Sequence, residues 1–215
     1  MAFLDGLLSP KTKALRQRLL THPLWQGIQD GTLPHARLKM FALQDYWLVQ
    51  QAYRLDGLTI AAVKDSALQE LLIHKLAAKI HATDVLIDFG VGVGLTTEDF
   101  ADVTPLAGCM ALTTFFYWVI AHTSDAEIVA AIGASEAVFT QICLQVHPAL
   151  MQHYHLTAQQ VAFFTAHEAI GEQVDALDDY FRAHAPSAEA IQRIDRTVHL
   201  SHEFELMFYD TILVL

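Results

Sequence analysis

Apolar residues recur every three or four positions along nearly the whole chain, and nothing in it has the short, strict apolar–polar alternation of a half-buried strand. That periodicity predicts an all-α fold in which about seven helices lay their apolar stripes against one another in a single bundle. With 215 residues, 53% of them apolar and 17% charged, the chain is long enough to bury one substantial core. No Ser/Gly/Pro-rich linker, low-complexity run or internal repeat interrupts it, so residues 1–215 read as one domain.

Start and stop signals divide the pattern. Ser9-Pro10 opens a first helix with Leu15, Leu19 and Leu20 as its stripe, since proline is tolerated where the N–H would be unpaired anyway. His22-Pro23-Leu24-Trp25 and Asp30-Gly31-Thr32-Leu33-Pro34 read as turns. A long helix then runs from about His35 to Val63, and Asp65-Ser66 caps another to about Phe89, ended by Gly90-Val91-Gly92-Val93-Gly94. No strand precedes those glycines, so they do not form a dinucleotide-binding turn. Further helices follow from Thr104-Pro105 to His122, from Ser124-Asp125 to about Tyr154, from Thr157 to about His184, and from Pro186-Ser187 to the end.

A net charge of −11 argues against nucleic acid and against an anionic membrane surface as partners. Cys109 and Cys143 lie in apolar runs and read as core fillers in a reducing compartment. The first residues lack a basic start and a long apolar run, which predicts no signal peptide, and Val103 to Thr123, the stretch nearest to a membrane span, reads as a buried core helix. The expected location is cytoplasmic.

Against this background a few polar residues fall on apolar stripes. Glu205 shares a helical face with Val198, His202, Phe208, Tyr209 and Ile212; Asp45 sits among Phe41, Ala42, Leu48 and Val49; Glu136 sits among Ile132, Gly133, Phe139 and Thr140. His81, His167 and Tyr117 are similarly surrounded. Each alone fits a satisfied core group, but buried acids on several helices are costly unless they converge on a ligand, a metal or water. The acidic run Glu168, Glu172, Asp175, Asp178, Asp179 reads as a largely solvated face, and His147, His153 and His155 have no tight metal spacing.

The run H-P-L-W-Q-G-I-Q-D-G-T-L-P from His22 to Pro34, the Q-D-Y at Gln44 to Tyr46, and the ending E-L-M-F-Y-D from Glu205 to Asp210 resemble the thiaminase II (TenA) family. The resemblance implies a haem-oxygenase-like helical bundle, shared with pyrroloquinoline-quinone synthase relatives and di-iron oxidases, with a small-molecule site at its centre. It implies that Asp45 holds an aminopyrimidine, that Glu205 donates and accepts protons, and that Tyr117 contacts the ring. Where the family has P-C-E-W this chain has A-S-E-A, which puts Ser135 at the nucleophilic cysteine. A hydroxyl is far less ionised than a thiol and needs a dedicated base. A branch of the family without the cysteine relies on a glutamate, a role Glu136 can mimic.

These residues lead to an expected mechanism of acid–base hydrolysis of a C–N bond on a flat, aminopyrimidine-like heteroaromatic, with Glu205, Asp45 and Glu136 as catalytic groups and no cofactor required. Desolvation is expected to raise the pKa of Glu205, and also of Glu136, so that one of them is protonated while Asp45 stays ionised. Tyr46, Trp47, Phe208, Tyr209, Tyr117 and Ser135 are expected to bind substrate. The alternatives are a non-catalytic binder and a metal-dependent oxidase. The di-iron relatives place a Glu and a His seven residues apart on one helix, a Glu on a second and H-x-x-x-D-x-x-H on a third. Here His74, His81, Glu136 and His167 occupy the first four places, while Gly171 and Val174 occupy the last two. His81, Glu136 and His167, with Glu172, Asp175 and Asp178 as later recruits, are a set for one Fe or Zn. The apolar C-terminal T-I-L-V-L reads either as packing back on the core or as a subunit contact, and the resemblance implies a homodimer or larger homo-oligomer.

Overall fold

The structure, a computed structural model, describes residues 2–214, the side chains of Ala2 and of residues 168–175 apart. It is all helical among the described residues: α1 Ala2–Leu7, α2 Pro10–Leu20, α3 Pro23–Gln29, α4 His35–Ala62, α5 Ser66–Ala78, α6 Ala82–Gly92, a 3₁₀ turn Thr97–Phe100, α7 Ala107–His122, α8 Asp125–His153, α9 Ala162–Ala183 and α10 Ala188–Val214. Local chemistry explains many of the ends. The Ser9 and Asp65 side chains accept from the N–H groups of Thr12 and Leu68, and Glu127 reaches back to the Ser124 N–H. Gly94 closes the turn after α6 at φ +92°, a conformation a Cβ would strain.

Several expectations change: the described residues form ten α-helices rather than about seven, and those expected from Thr104 and Thr157 begin at Ala107 and Ala162. Pro23–Gln29 is a helix, with Pro23 in its first turn and the His22 imidazole accepting from the Leu24 N–H. Gly90 and Gly92 lie inside α6, and the stop comes at Gly94. The helix expected from Ser66 to Phe89 is two, α5 and α6, although no glycine or proline marks the break. The break is made from outside: the Tyr53 hydroxyl donates to the Lys79 carbonyl at 2.9 Å, satisfying a helix-end acceptor, while the Lys79 ammonium is drawn to acids on α4 and α8.

The larger core joins α3, α4 and α6 to α10 through aromatic edges: Trp25 lies edge-on to Phe41 and Tyr209, and Phe41 and Phe89 pack on Phe164. A smaller core of Leu4, Leu8, Val63, Leu72, Phe181 and Val198 sits at the other end. On α10 the two cores are separated by Ser201, His202 and Glu205, all buried. α7 approaches α10 so closely that a Cβ on Gly108 would come within 2.5 Å of the Met207 carbonyl. Asp178, expected on a solvated face, is buried: its two oxygens accept from the Phe3 and Leu4 N–H groups, each at 2.8 Å, and so cap α1. Glu168, Glu172 and Asp175 lie outside the described side chains. α7 is too short to cross a membrane. α8 is long and apolar enough, but 72% of its most apolar window is buried inside the protein, as in a core helix.

Candidate functional site

A cavity of about 290 Å³ lies in the bundle centre, and Asp45 from α4, Glu136 from α8 and Glu205 from α10 all line it. Its wall is mainly apolar, with Phe116, Phe139, Phe163 and Phe208 among its rings, the kind of pocket that holds a small flat molecule by burial and orients it with a few polar groups. The inward stripe of each helix put the three acids there, as their spacing predicted. The packing then sorts them into two poles with different chemistry.

At the first pole, Glu205 accepts at both oxygens: from the Tyr209 hydroxyl at 2.6 Å and from the Ser135 hydroxyl at 3.0 Å. Ser201 lies behind Ser135, their oxygens 2.8 Å apart. Both of its oxygens are thus engaged as acceptors. Asp45 stands opposite in character. It is 4% exposed, and its Oδ2 has no hydrogen-bond partner. Burial, reinforced by the Glu205 charge, pushes its carboxyl up to about 7. Burial thus favours a proton on Asp45, the acid expected to stay ionised, while Glu205 is engaged as a hydrogen-bond acceptor. His202, fully buried, has both ring nitrogens unpartnered, its Nδ1 3.7 Å from Glu205 Oε2.

The second pole was not foreseen. Lys75 of α5 and Lys79, just past its end, reach Glu136 Oε1 at 2.8 and 2.6 Å and Asp56 on α4 at 3.4 and 3.3 Å. Burial would raise the Glu136 carboxyl, but the two ammonium groups outweigh it and hold Glu136 well below the usual range. Burial would likewise lower Lys79, yet the acids win and raise it. Glu136 is thus held as a carboxylate at neutral pH, not as a raised-pKa acid. His167 borders the same cavity. Its Nδ1–H donates to the Phe163 carbonyl at 2.7 Å, and burial pushes the ring down to about 4, so it is neutral. The sequence pattern did not single out either lysine, and only their alignment with Asp56 and Glu136 across the packed helices reveals them.

Other candidates fall elsewhere. Tyr46 packs edge-on against Phe100 and Trp47 joins the core wall; neither lines the cavity. Tyr117 also lies off it, its hydroxyl donating to Gln51 at 3.3 Å. Of the expected binding residues, Phe208, Tyr209 and Ser135 do line it. Gln44 is a strut, holding the Thr104 carbonyl and the Leu106 N–H before α7. A metal centre of His81, Glu136 and His167 does not fit. His81 is an exposed rim residue hydrogen-bonded to Asp84, His74 is exposed on α5, and Glu136 is committed to two cations. Among the described residues, no three His, Cys, Asp or Glu side chains gather to hold an ion. Cys109 and Cys143 are free and buried; burial and the nearby Asp45 push both thiols up, so neither is a nucleophile at neutral pH.

The sequence blocks behind the family resemblance meet in space. His22 Nε2 lies 3.1 Å from Asp210 Oδ1, and Trp25 packs on Tyr209, so the α3 segment braces the end of α10 that carries Glu205. Residues 9–214 match the model of the TENA/THI-4/PQQC family. An aminopyrimidine aminohydrolase of Halalkalibacterium halodurans is 26% identical over 137 residues, an alignment spanning 61% of this chain and 59% of that relative. Among solved structures, a TenA homologue from Pseudomonas syringae pv. tomato superposes with a TM-score of 0.82 at 14% identity, over 95% of this chain and 90% of that one. A domain of unknown function with a heme oxygenase-like fold from Shewanella denitrificans gives 0.82 at 18% identity, covering 94% and 89%. A TenA homologue from P. horikoshii gives 0.78 at 16% identity, covering 98% of each. At these identities the structures establish the fold, and it is the one the resemblance implied.

Proposed function

The chain belongs to the TENA/THI-4/PQQC family, and on that premise we propose that its cavity binds a small heteroaromatic molecule and hydrolyses a C–N bond on an aminopyrimidine-like ring. The observation that carries this reading is the pairing, in one enclosed cavity, of a proton-bearing Asp45 with a doubly hydrogen-bonded Glu205 carboxylate. The aminohydrolase relative supports the reaction class. In this scheme the ring lies among Phe116, Phe139, Phe163 and Phe208. Glu205 takes a proton from water as the water oxygen bonds to the carbon bearing nitrogen. As the C–N bond breaks, Asp45 delivers its proton to the departing nitrogen, so one water is consumed and both carboxyl groups exchange protonation state. Ser135 and Tyr209 keep the Glu205 carboxylate aimed.

The test is a hydrolysis assay of the purified protein on an aminomethylpyrimidine. Turnover should fall by about 10²–10⁴-fold in Glu205→Gln, the usual worth of a general base; absence of turnover in the wild type sinks the reading. A non-catalytic binder on the same fold is the second reading, favoured by a serine at position 135, and a ligand-induced thermal shift without turnover selects it. Exposed Met110 and Trp118 on α7 and Met207 on α10 support the homo-oligomer expectation, which light scattering tests.

A further inference from the structure

We propose that the lysine pole of the cavity is a second binding subsite, built for a neutral amide group on the substrate that carries an N–H cis to its carbonyl (a primary carboxamide or a urea). The carbonyl of that group accepts from Lys79, and its N–H donates to the unpaired oxygen of Glu136. The proposal rests on the cavity being a small-molecule site, as above, but not on turnover.

The hydrogen-bond inventory carries it. An ammonium has three N–H donors. Lys79 gives one to Asp56 Oδ2 and one to Glu136 Oε1, which leaves one over, and Lys79 lines the cavity whereas Lys75 stands behind. Both lysines converge on the same Glu136 oxygen. Oε2 is left buried with no partner, on a residue that lines the cavity. A purely structural ion-pair network would spend both oxygens, because a buried acceptor without a donor is costly. The two carboxylate oxygens share one carbon, so the bare acceptor sits beside the oxygen that Lys79 already holds. A primary amide likewise presents a carbonyl acceptor and a cis N–H donor side by side.

Charge narrows the class further. Two ammonium groups face two carboxylates, so the pole is neutral as a unit. An anionic ligand would set its charge against the bare Glu136 oxygen, and a cationic one would meet Lys79. A neutral group with acceptor and donor adjacent satisfies both. His167 adds to the match. Its Nδ1–H is spent on Phe163, so Nε2 offers a further acceptor in the same cavity, suited to the second N–H of a primary carboxamide or urea.

The experiment is titration calorimetry of the full-length protein at pH 7 with three ring-matched probes: pyridine-3-carboxamide, pyridine-3-carboxylate and 3-acetylpyridine. The carboxamide should bind at least tenfold tighter than both others. Glu136→Gln removes one negative charge from the pole and should shift the amide-to-acid ratio at least tenfold toward the carboxylate. A flat ranking in the wild type, or an unchanged ratio in folded Glu136→Gln, overturns the proposal. In the wild type, intermolecular nuclear Overhauser contacts from the bound carboxamide to the Lys79 side chain locate it without any variant; contacts confined to Tyr209 and Phe208 overturn the proposal too. The hydrolysis assay is separate, so its failure leaves this ranking intact, and the reverse also holds.

Discussion

Asp45 and Glu136 are both carboxyl groups on long helices, both face one cavity, and both are largely withdrawn from water, yet one holds a proton near neutral pH and the other never does. The difference is company. Each has one oxygen without a partner, but Asp45 has the negative Glu205 for a neighbour, whereas Glu136 has two ammonium groups within 2.8 Å of its other oxygen. Desolvation acts in the same direction on both, and the sign of the nearest charge decides the outcome. A single fold can thereby keep a proton donor and a fixed ion-pair anchor in the same small cavity.

Breaking the ion-paired side should have the largest effect on stability. Glu136→Gln strands two lysines around a lost carboxylate, and an uncompensated buried charge costs about 3–5 kcal/mol. Denaturant unfolding checks this, and a loss below 1 kcal/mol would mean that the pole is effectively solvated. Asp45→Asn sharpens the other side, with a sign that depends on pH. The Asp45 carboxyl is raised on folding, so its contribution is fully present below the unfolded value near 4 and is lost as pH rises through about 7. The neutral variant should therefore gain on the wild type by roughly 2 kcal/mol between pH 5 and pH 8. Thermal unfolding across that range reads it, and a gain that shrinks with pH would contradict the assignment. The same proton predicts that turnover of the wild type declines as pH rises past about 7, because the acid is then lost. The smallest effect belongs to Ser135→Ala, which removes one of the two hydrogen bonds on Glu205. At about 1 kcal/mol per bond, turnover should drop roughly fivefold. A drop of a thousandfold or more would instead make Ser135 a nucleophile, since Glu205 lies within reach as its base.

Much of this was legible in the chain. The helices followed from period, and Ser9, Asp65 and Ser124 marked true starts because a cap is a contact between near neighbours in sequence. Asp45, Glu136 and Glu205 were found for a similar reason: a stripe on one helix shows which residues point inward. The break between α5 and α6 was not legible, since Ala77, Ala78, Lys79 and Ile80 suit a helix and the cause lies in Tyr53, Asp56 and Glu136. Tyr46, Trp47 and Tyr117 misled because an aromatic ring beside an inward acid can as easily pack on the next helix, as Tyr46 does on Phe100.

The amino-acid sequence by itself determined an all-α bundle and which acids face its interior, because helical period and capping operate over a few residues. Only the tertiary structure decided which of those acids holds a proton, which is locked to lysine, and that no metal set assembles from His81, Glu136 and His167. Those outcomes depend on charges brought within a few ångströms from other helices, and an electrostatic energy that varies as the inverse of distance is undefined until the helices are packed.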